Sequence, residues 1–226
     1  MFLLRARVAW SDYFTGAPIT TLNQSLFISR YTVSGESVYV SNCLFSKCKS
    51  TSNGGALSCS STVKYLLIES STFFSCNTSG QFGGAIFFSN TNSGQCVLYE
   101  VCGYDCCSTC ASWSLGQFAY TGVLYDSSHK NYVNYSSIAR CVIENSYSCD
   151  TLCLEGGEVC CPSINISMNK CAYQSIYCYA DGSVICSLSY SSFTDNNASI
   201  SICIRFDMEG GENEIKCCNI ISNTQG

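Results

Sequence analysis

Proline is nearly absent from this chain: only Pro18 and Pro162 occur in 226 residues. Without that breaker of strand pairing, extended sheets are permitted along almost the whole length. Charge is scarce as well. Only 12% of residues are Asp, Glu, Lys or Arg, about half the usual share of ~25%, and the eleven basic residues are scattered singly against a net charge of −5. No cationic stripe exists to neutralise a phosphate backbone, so no nucleic-acid partner is expected. No apolar run reaches the ~18 residues of a membrane-spanning helix, so no transmembrane segment is expected in this chain. Long stretches of helical periodicity are missing too.

What fills the space is serine, at 38 positions, aromatic residues at 13%, and twenty cysteines. Thr, Tyr, Val, Ile and Phe fit a pleated surface, and short runs of them are cut here by Ser, Asn and Gly. An apolar residue three positions before a cysteine or asparagine recurs: Phe45 to Cys48, Phe73 to Cys76, Gly103 to Cys106, Ile138 to Cys141, Met168 to Cys171, Phe193 to Asn196 and Ile220 to Asn223. The steps between successive phrase ends are 28, 30, 35, 30, 25 and 27 residues, a period that marks stacked-repeat architecture. In the first two units a second phrase follows, Gly54-Gly55-Ala56-Leu57 and Gly83-Gly84-Ala85-Ile86.

Helical repeats demand Ala, Leu, Glu and Lys in quantity, whereas these units are β-formers between turn residues. The expected fold is therefore all-β, a right-handed, single-stranded parallel β-helix of about seven coils of 25–35 residues, the hand following from strand twist. Residues 1–41 are expected as an irregular N-terminal coil or cap and 42–226 as the repeats. The long 35-residue step predicts an insertion near 110–133, with the polar stretch Asp126 to Asn131 as the place where it loops out. Equivalent residues then stack about 4.8 Å apart. Phe45, Phe73, Ile138, Phe193 and Ile220 form one internal ladder, and Cys48, Cys76, Cys106, Cys141 and Cys171, continued by Asn196 and Asn223, form another. Glycine pairs turn the backbone tightly so that Ala56 and Ala85 point inward, and Leu57 and Ile86 begin the next strand.

The paired phrases resemble the repeats of chlamydial polymorphic outer membrane proteins and of similar trichomonad surface proteins, in which cysteine often replaces the asparagine. The resemblance is carried by Phe45, Gly54, Gly55, Ala56, Leu57, Phe73, Gly83, Gly84, Ala85 and Ile86, with Cys48 and Cys76 in the asparagine position and asparagines at Asn196 and Asn223. It covers residues 42–90 well and weakens toward 226. It implies a surface-displayed β-helix involved in adhesion.

A disulfide wants Cβ atoms roughly 3.5–4.5 Å apart, closer than the strand spacing. Cys48, Cys76, Cys141 and Cys171 are accordingly expected as buried free thiols. The vicinal pairs Cys106-Cys107, Cys160-Cys161 and Cys217-Cys218 must send one side chain in and one out. The cluster Cys102, Cys106, Cys107 and Cys110 contains a C-x-x-C step, but the next cysteines, Cys141 and Cys149, do not continue it, so no metal is expected.

Catalysis on polysaccharide needs converging carboxylates. The aspartates Asp12, Asp105, Asp126, Asp150, Asp181, Asp195 and Asp207 include no adjacent pair, and Glu209, Glu212 and Glu214 read as a solvated loop around Gly210-Gly211. His129, the sole histidine, lies in the proposed insertion beside Ser128 and Lys130, a poor platform for a Ser-His-Asp arrangement. No catalytic, cofactor-binding or metal residue is expected, and no cofactor. Five sequons, at Asn23, Asn77, Asn134, Asn165 and Asn197, are compatible with export.

These observations lead to a non-enzymatic surface or secreted repeat protein of adhesin type, with protein or glycan ligands on other cells or matrix. The competing expectations are an intracellular structural scaffold and a polysaccharide-active enzyme. Arg5 and Arg7 follow three apolar residues at the start, the reverse of a secretory signal. A cap is not evident after Asn223, so a longer parent chain or an end-to-end assembly is expected.

Overall fold

The computed structural model describes residues 10–110, 114–141, 150–181, 184–198, 203–209 and 211–225. They form a parallel β-solenoid of about six turns. Sheet 1 stacks eight strands from Thr20–Asn23 to Glu212–Lys216, and sheet 2 stacks eight from Leu26–Phe27 to Asn219–Ile221. Sheet 3 is built of two-residue strands in two groups of three, Lys49–Ser50, Asn77–Thr78 and Cys107–Ser108, then Lys170–Cys171, Asn197–Ala198 and Thr224–Gln225. Sheet 4 carries seven strands from Tyr31–Val33 to Ile204–Glu209. The stacked sheets begin at Thr20, inside the segment expected as an irregular N-terminal coil or cap.

Alternation along the strands of sheet 2 builds one wall of the core. Phe27, Phe45, Phe73, Gly103, Ile138, Ile166, Phe193 and Ile220 occupy one column of sheet 2 in continuous register, although Ile220, expected as internal, is exposed in the last coil. The rings of Phe45 and Phe73 lie parallel with centroids 4.6 Å apart. This column corrects the fifth phrase. Ile166, not Met168, sits in the ladder, and Asn169, not Cys171, takes the position of Cys141; Met168 is an exposed corner residue at φ 55°. With Asn169 in place the uneven steps of 30 and 25 become 28 and 27. Cys171 is buried two residues further on, in a strand of sheet 3.

The asparagines show what this position does. Asn169 Nδ2 donates to Ile138 O at 3.1 Å and to Asn196 Oδ1 at 3.0 Å, and Asn196 Nδ2 donates to Ile166 O at 2.8 Å and to Asn223 Oδ1 at 2.9 Å. The backbone N–H of Asn169 donates to Asn196 Oδ1. The thiols occupy the same post: Cys48 Sγ donates to Phe27 O at 3.4 Å, Cys76 Sγ to Phe45 O at 3.5 Å and Cys106 Sγ to Phe73 O at 3.4 Å. Thiol and amide thus serve the same carbonyl of the preceding coil, the thiol as a weaker donor. Cys48, Cys76, Cys106 and Cys141 are buried free thiols. Asn196→Ala strips the buried Ile166 carbonyl of its side-chain donor and leaves the buried N–H of Asn169 without its acceptor, and is expected to lower stability by roughly 1–3 kcal/mol. Asn196→Cys restores the carbonyl's donor and is expected to recover part of that loss, both read from urea unfolding midpoints.

The corner between sheets 1 and 2, and from the second coil on also that between sheets 2 and 3, turns on a single residue of positive φ. Asn42, Ser70 and Glu100 are such residues between sheets 1 and 2, and Lys47, Ser75 and Asp105 between sheets 2 and 3. A non-glycine residue in this region costs about 1–2 kcal/mol. Each returns an N–H to the next coil, Asn42 to Glu69 O at 3.1 Å and Lys47 to Phe74 O at 2.8 Å, which offsets the strain. The glycine pair at the entrance to sheet 4 divides its work. Gly83 sits at φ +64°, whereas Gly84 has ordinary φ but no room: a Cβ there would lie 1.9 Å from Gln117 O. Ala56 and Ala85 face inward and strands begin at Leu57 and Ile86.

The long step is shared between two places. Registers run 33 residues from Ile86 to Ala119 in sheet 4 but 35 from Gly103 to Ile138 in sheet 2. Part of the extra length therefore precedes the strand Ala119–Gly122, and part lies in the turn at Asp126–His129, after which Lys130 and Asn131 already belong to a strand. Residues 111–113 of the expected insertion lie outside the described residues.

Outside sheet 1 the 3-10 turn Trp10–Asp12, with Tyr13 and Phe14, forms a strap across the outer face. Trp10 and Phe14 pack against a patch that includes Leu67 and Val97, both fully buried, and Asn134 Nδ2 donates to Tyr13 Oη at 3.1 Å. A sheet face that would otherwise be an exposed apolar patch is covered by the chain itself.

Candidate functional site

The four clustered cysteines do not come together. Cys106 points into the core ladder, Cys102 is exposed on sheet 2, and Cys107 lies on the outer side of sheet 3. Among the described residues no three His, Cys, Asp or Glu side chains are grouped to hold a metal. Cys149 and Gly210 lie outside the described residues. Of the vicinal pairs, Cys106 and Cys161 are buried while Cys107 and Cys160 are half-buried, as strand alternation requires.

Asp126, Ser128 and His129 share one exposed turn. Ser128 Oγ donates to Asp126 Oδ1, and His129 Nδ1 lies 3.2 Å from Ser128 Oγ and 3.5 Å from Asp126. In a proton relay the imidazole separates the two through its different nitrogens. Here the serine bonds the carboxylate directly and both face Nδ1, so the trio caps a turn. The Ser128 hydroxyl, then its backbone N–H, hold the Asp126 carboxyl below its usual range. Glu214 pairs with Lys216 on the strand Glu212–Lys216.

The richest side-chain chemistry lies on the outer face of sheet 4. Its register aligns Phe87, Tyr120, Cys153, Tyr177 and Arg205 in one column, and Ser89, Gly122, Glu155, Tyr179 and Asp207 in the next. At the N-terminal end Phe82, Phe87 and Tyr120 cluster, with Tyr120 ring centroids 4.9 Å from Phe82 and 5.7 Å from Phe87. Tyr120 is largely buried and Cys153 completely so. Toward the C-terminal end the stripe opens to solvent. Tyr125, Glu155, Tyr177, Tyr179 and Asp207 are half-buried and Arg205 is exposed.

Hydrogen bonds fix this polar and aromatic end. Tyr120 Oη donates to Glu155 Oε2 at 2.6 Å and Tyr177 Oη to Asp207 Oδ2 at 3.4 Å. Arg205 pairs with Asp207 at 2.7 Å and lies 5.3 Å from the centroid of the Tyr177 ring, within cation–π range. Tyr125 meets Tyr179 edge-on at 5.7 Å. Burial, then the Glu155 carboxylate, push the Tyr120 phenol far up; burial, then Asp207, do the same for Tyr177. Both phenols therefore remain donors throughout the physiological range. Glu155 and Asp207 are two coils apart and each already accepts a bond, so the surface offers fixed donors, acceptors and ring faces to a polar ligand.

The aspartates gave no hint of this surface, because the partners are 30 or more residues apart in sequence, as Tyr120–Glu155 and Tyr177–Asp207 are. The available signal was the outward phase of sheet 4, which becomes readable once Leu57 and Ile86 are taken as inward residues. Comparison with family models, with curated proteins and with solved structures finds no match for this chain.

Proposed function

We propose that this chain is a non-enzymatic, surface-displayed or secreted β-helix of adhesin type that recognises glycan or protein ligands through the outer face of sheet 4. The observation that carries the reading is the solvent-open group of Tyr125, Glu155, Tyr177, Tyr179, Arg205 and Asp207, held by its own hydrogen bonds on a rigid parallel sheet. Aromatic rings and a guanidinium beside carboxylates match the side chains that dominate recognition surfaces. A right-handed coil and membership of the polymorphic outer membrane type of repeat belong to the same reading. The paired phrases of the first two units support that membership, and the ladder in which cysteine and asparagine serve the same carbonyl adds to it.

The test is binding of the purified protein to arrayed glycans and to whole cells, compared with a Tyr177→Ala/Tyr179→Ala variant. The expected result is at least a tenfold loss of affinity, about 1.4 kcal/mol, with an unchanged far-UV spectrum. Undiminished binding by the folded variant would remove this face from the proposal.

A further inference from the structure

Four of the five sequon asparagines differ from the fifth in what surrounds them. Asn134 is 8% exposed and its amide donates to Tyr13 of the strap. The substituted amide keeps one N–H for that bond, but at this burial a sugar on Nδ2 has room only if Tyr13 lifts away from Tyr99 and Tyr132, its ring neighbours at 6.5 and 6.4 Å. Asn165, by contrast, is an exposed outward residue of sheet 2. Asn23 is exposed and Asn197 half-buried on an outer strand face.

Asn77 has a further feature. It opens the strand Asn77–Thr78, in which Thr78 is fully buried, so the Asn77 side chain faces outward. There it lines an open groove of about 560 Å³ together with Lys49, Thr51, Ser79 and Thr109. That volume lies within the ~300–1,000 Å³ of small-ligand clefts, and the walls present hydroxyls and one ammonium, the complement of a sugar's hydroxyls. Asn77-Thr78-Ser79 satisfies the acceptor sequence, with Ser79 exposed.

We infer that Asn77 is a site of N-linked glycosylation whose innermost sugar lies in this groove, and that Asn134 stays unmodified because the docked strap covers it. The inference rests on the exported reading of the chain. In the step itself the Asn77 Nδ2 forms a bond to the anomeric carbon of a lipid-diphosphate-linked oligosaccharide. The diphosphate leaves with the bonding electrons, and one Nδ2 proton passes to a base of the transferring enzyme.

The experiment is a glycopeptide mass map of the protein isolated from the cells that make it, alongside a Ser79→Ala variant expressed in the same cells. A glycan at Asn77 that disappears in Ser79→Ala, with Asn134 bare, is the expected result. Native treatment with a peptide-N-glycosidase is expected to release the Asn77 glycan at least tenfold more slowly than the Asn165 glycan, a difference that vanishes on denaturation. A bare Asn77 beside an occupied Asn165 would overturn the inference and leave the exported reading standing. Five bare sequons would overturn both. Equal native release rates would remove the sugar from the groove, and an occupied Asn134 would remove the exclusion by the strap.

Discussion

Alanine at Phe73 is expected to destabilise the solenoid by roughly 3–5 kcal/mol, the largest effect of any single side-chain truncation in the core. Phe73 stands where two packing regimes meet. On one side the rings of Phe27, Phe45 and Phe73 form a parallel column with centroid spacings of 4.6 Å. On the other side the column would continue at Gly103, which has no ring to offer. Phe118 fills the place instead, meeting Phe73 edge-on at 5.9 Å. The exchange is reciprocal: Phe118 replaces the small Ala56 and Ala85 of the preceding coils, and a Cβ at Gly103 would lie 2.4 Å from its ring. Truncating Phe73 therefore removes a neighbour from both Phe45 and Phe118, and parallel strands tied by ladder hydrogen bonds cannot close the void. Urea unfolding followed by circular dichroism measures the loss. Phe73→Leu, which keeps most of the volume, is expected to cost less than half as much. A loss below about 1 kcal/mol for Phe73→Ala would show that the coils do collapse onto the space.

The repeat was legible because its inward positions are chemically restrictive. A ring in a stacked column and a donor facing a buried carbonyl admit few residue types, so Phe45, Phe73, Cys48, Cys76 and Asn196 could be picked out by type and spacing alone. The corners were not legible. At the turn between sheets 2 and 3 the positive-φ residues are Lys47, Ser75, Asp105, Arg140, Met168, Asp195 and Ser222, and no composition signal unites them. What makes that conformation tolerable is a backbone hydrogen bond to the neighbouring coil, which any residue can form. Met168 stood three positions before a cysteine and so imitated the ladder phrase. Only the register of Ile138 with Ile166 shows that the phrase is displaced by two residues. The sheet 4 surface escaped for another reason: its columns are assembled from single residues on successive coils, and their alignment depends on how the extra residues of the long step are divided around Ala119–Gly122.

The same coil-to-coil substitution that brought Phe118 inward leaves a polar column at the entrance to sheet 4. In the first coils this place belongs to Gly55 and Gly84, and in later ones to Gln117, Asp150 and Gln174. Asp150 is fully buried. Its Oδ1 accepts from Gln174 Nε2, while its Oδ2 has no hydrogen-bond partner among the described residues. Burial pushes the carboxyl up to about 8, against the smaller opposing effects of the Gln174 bond and the Arg205 charge. The folded protein therefore holds a proton on Asp150 at pH values where the unfolded chain, titrating near the ordinary 3.8, has released it. Between about pH 4 and pH 8 the native state binds the extra proton, so stability falls as pH rises, with a slope of about 1.4 kcal/mol per pH unit from this residue. Below pH 4 both states are protonated and the slope vanishes; above pH 8 both are ionised and it vanishes again. Asp150→Asn keeps an acceptor for Gln174 and cannot ionise. Urea midpoints taken from pH 5 to pH 8 are expected to converge for the two proteins at the acid end and to separate progressively toward pH 8, with the variant the more stable by a few kcal/mol. Parallel profiles would mean that the buried carboxyl finds a compensating cation or water in solution, and that this polar column is no burden on the fold at neutral pH.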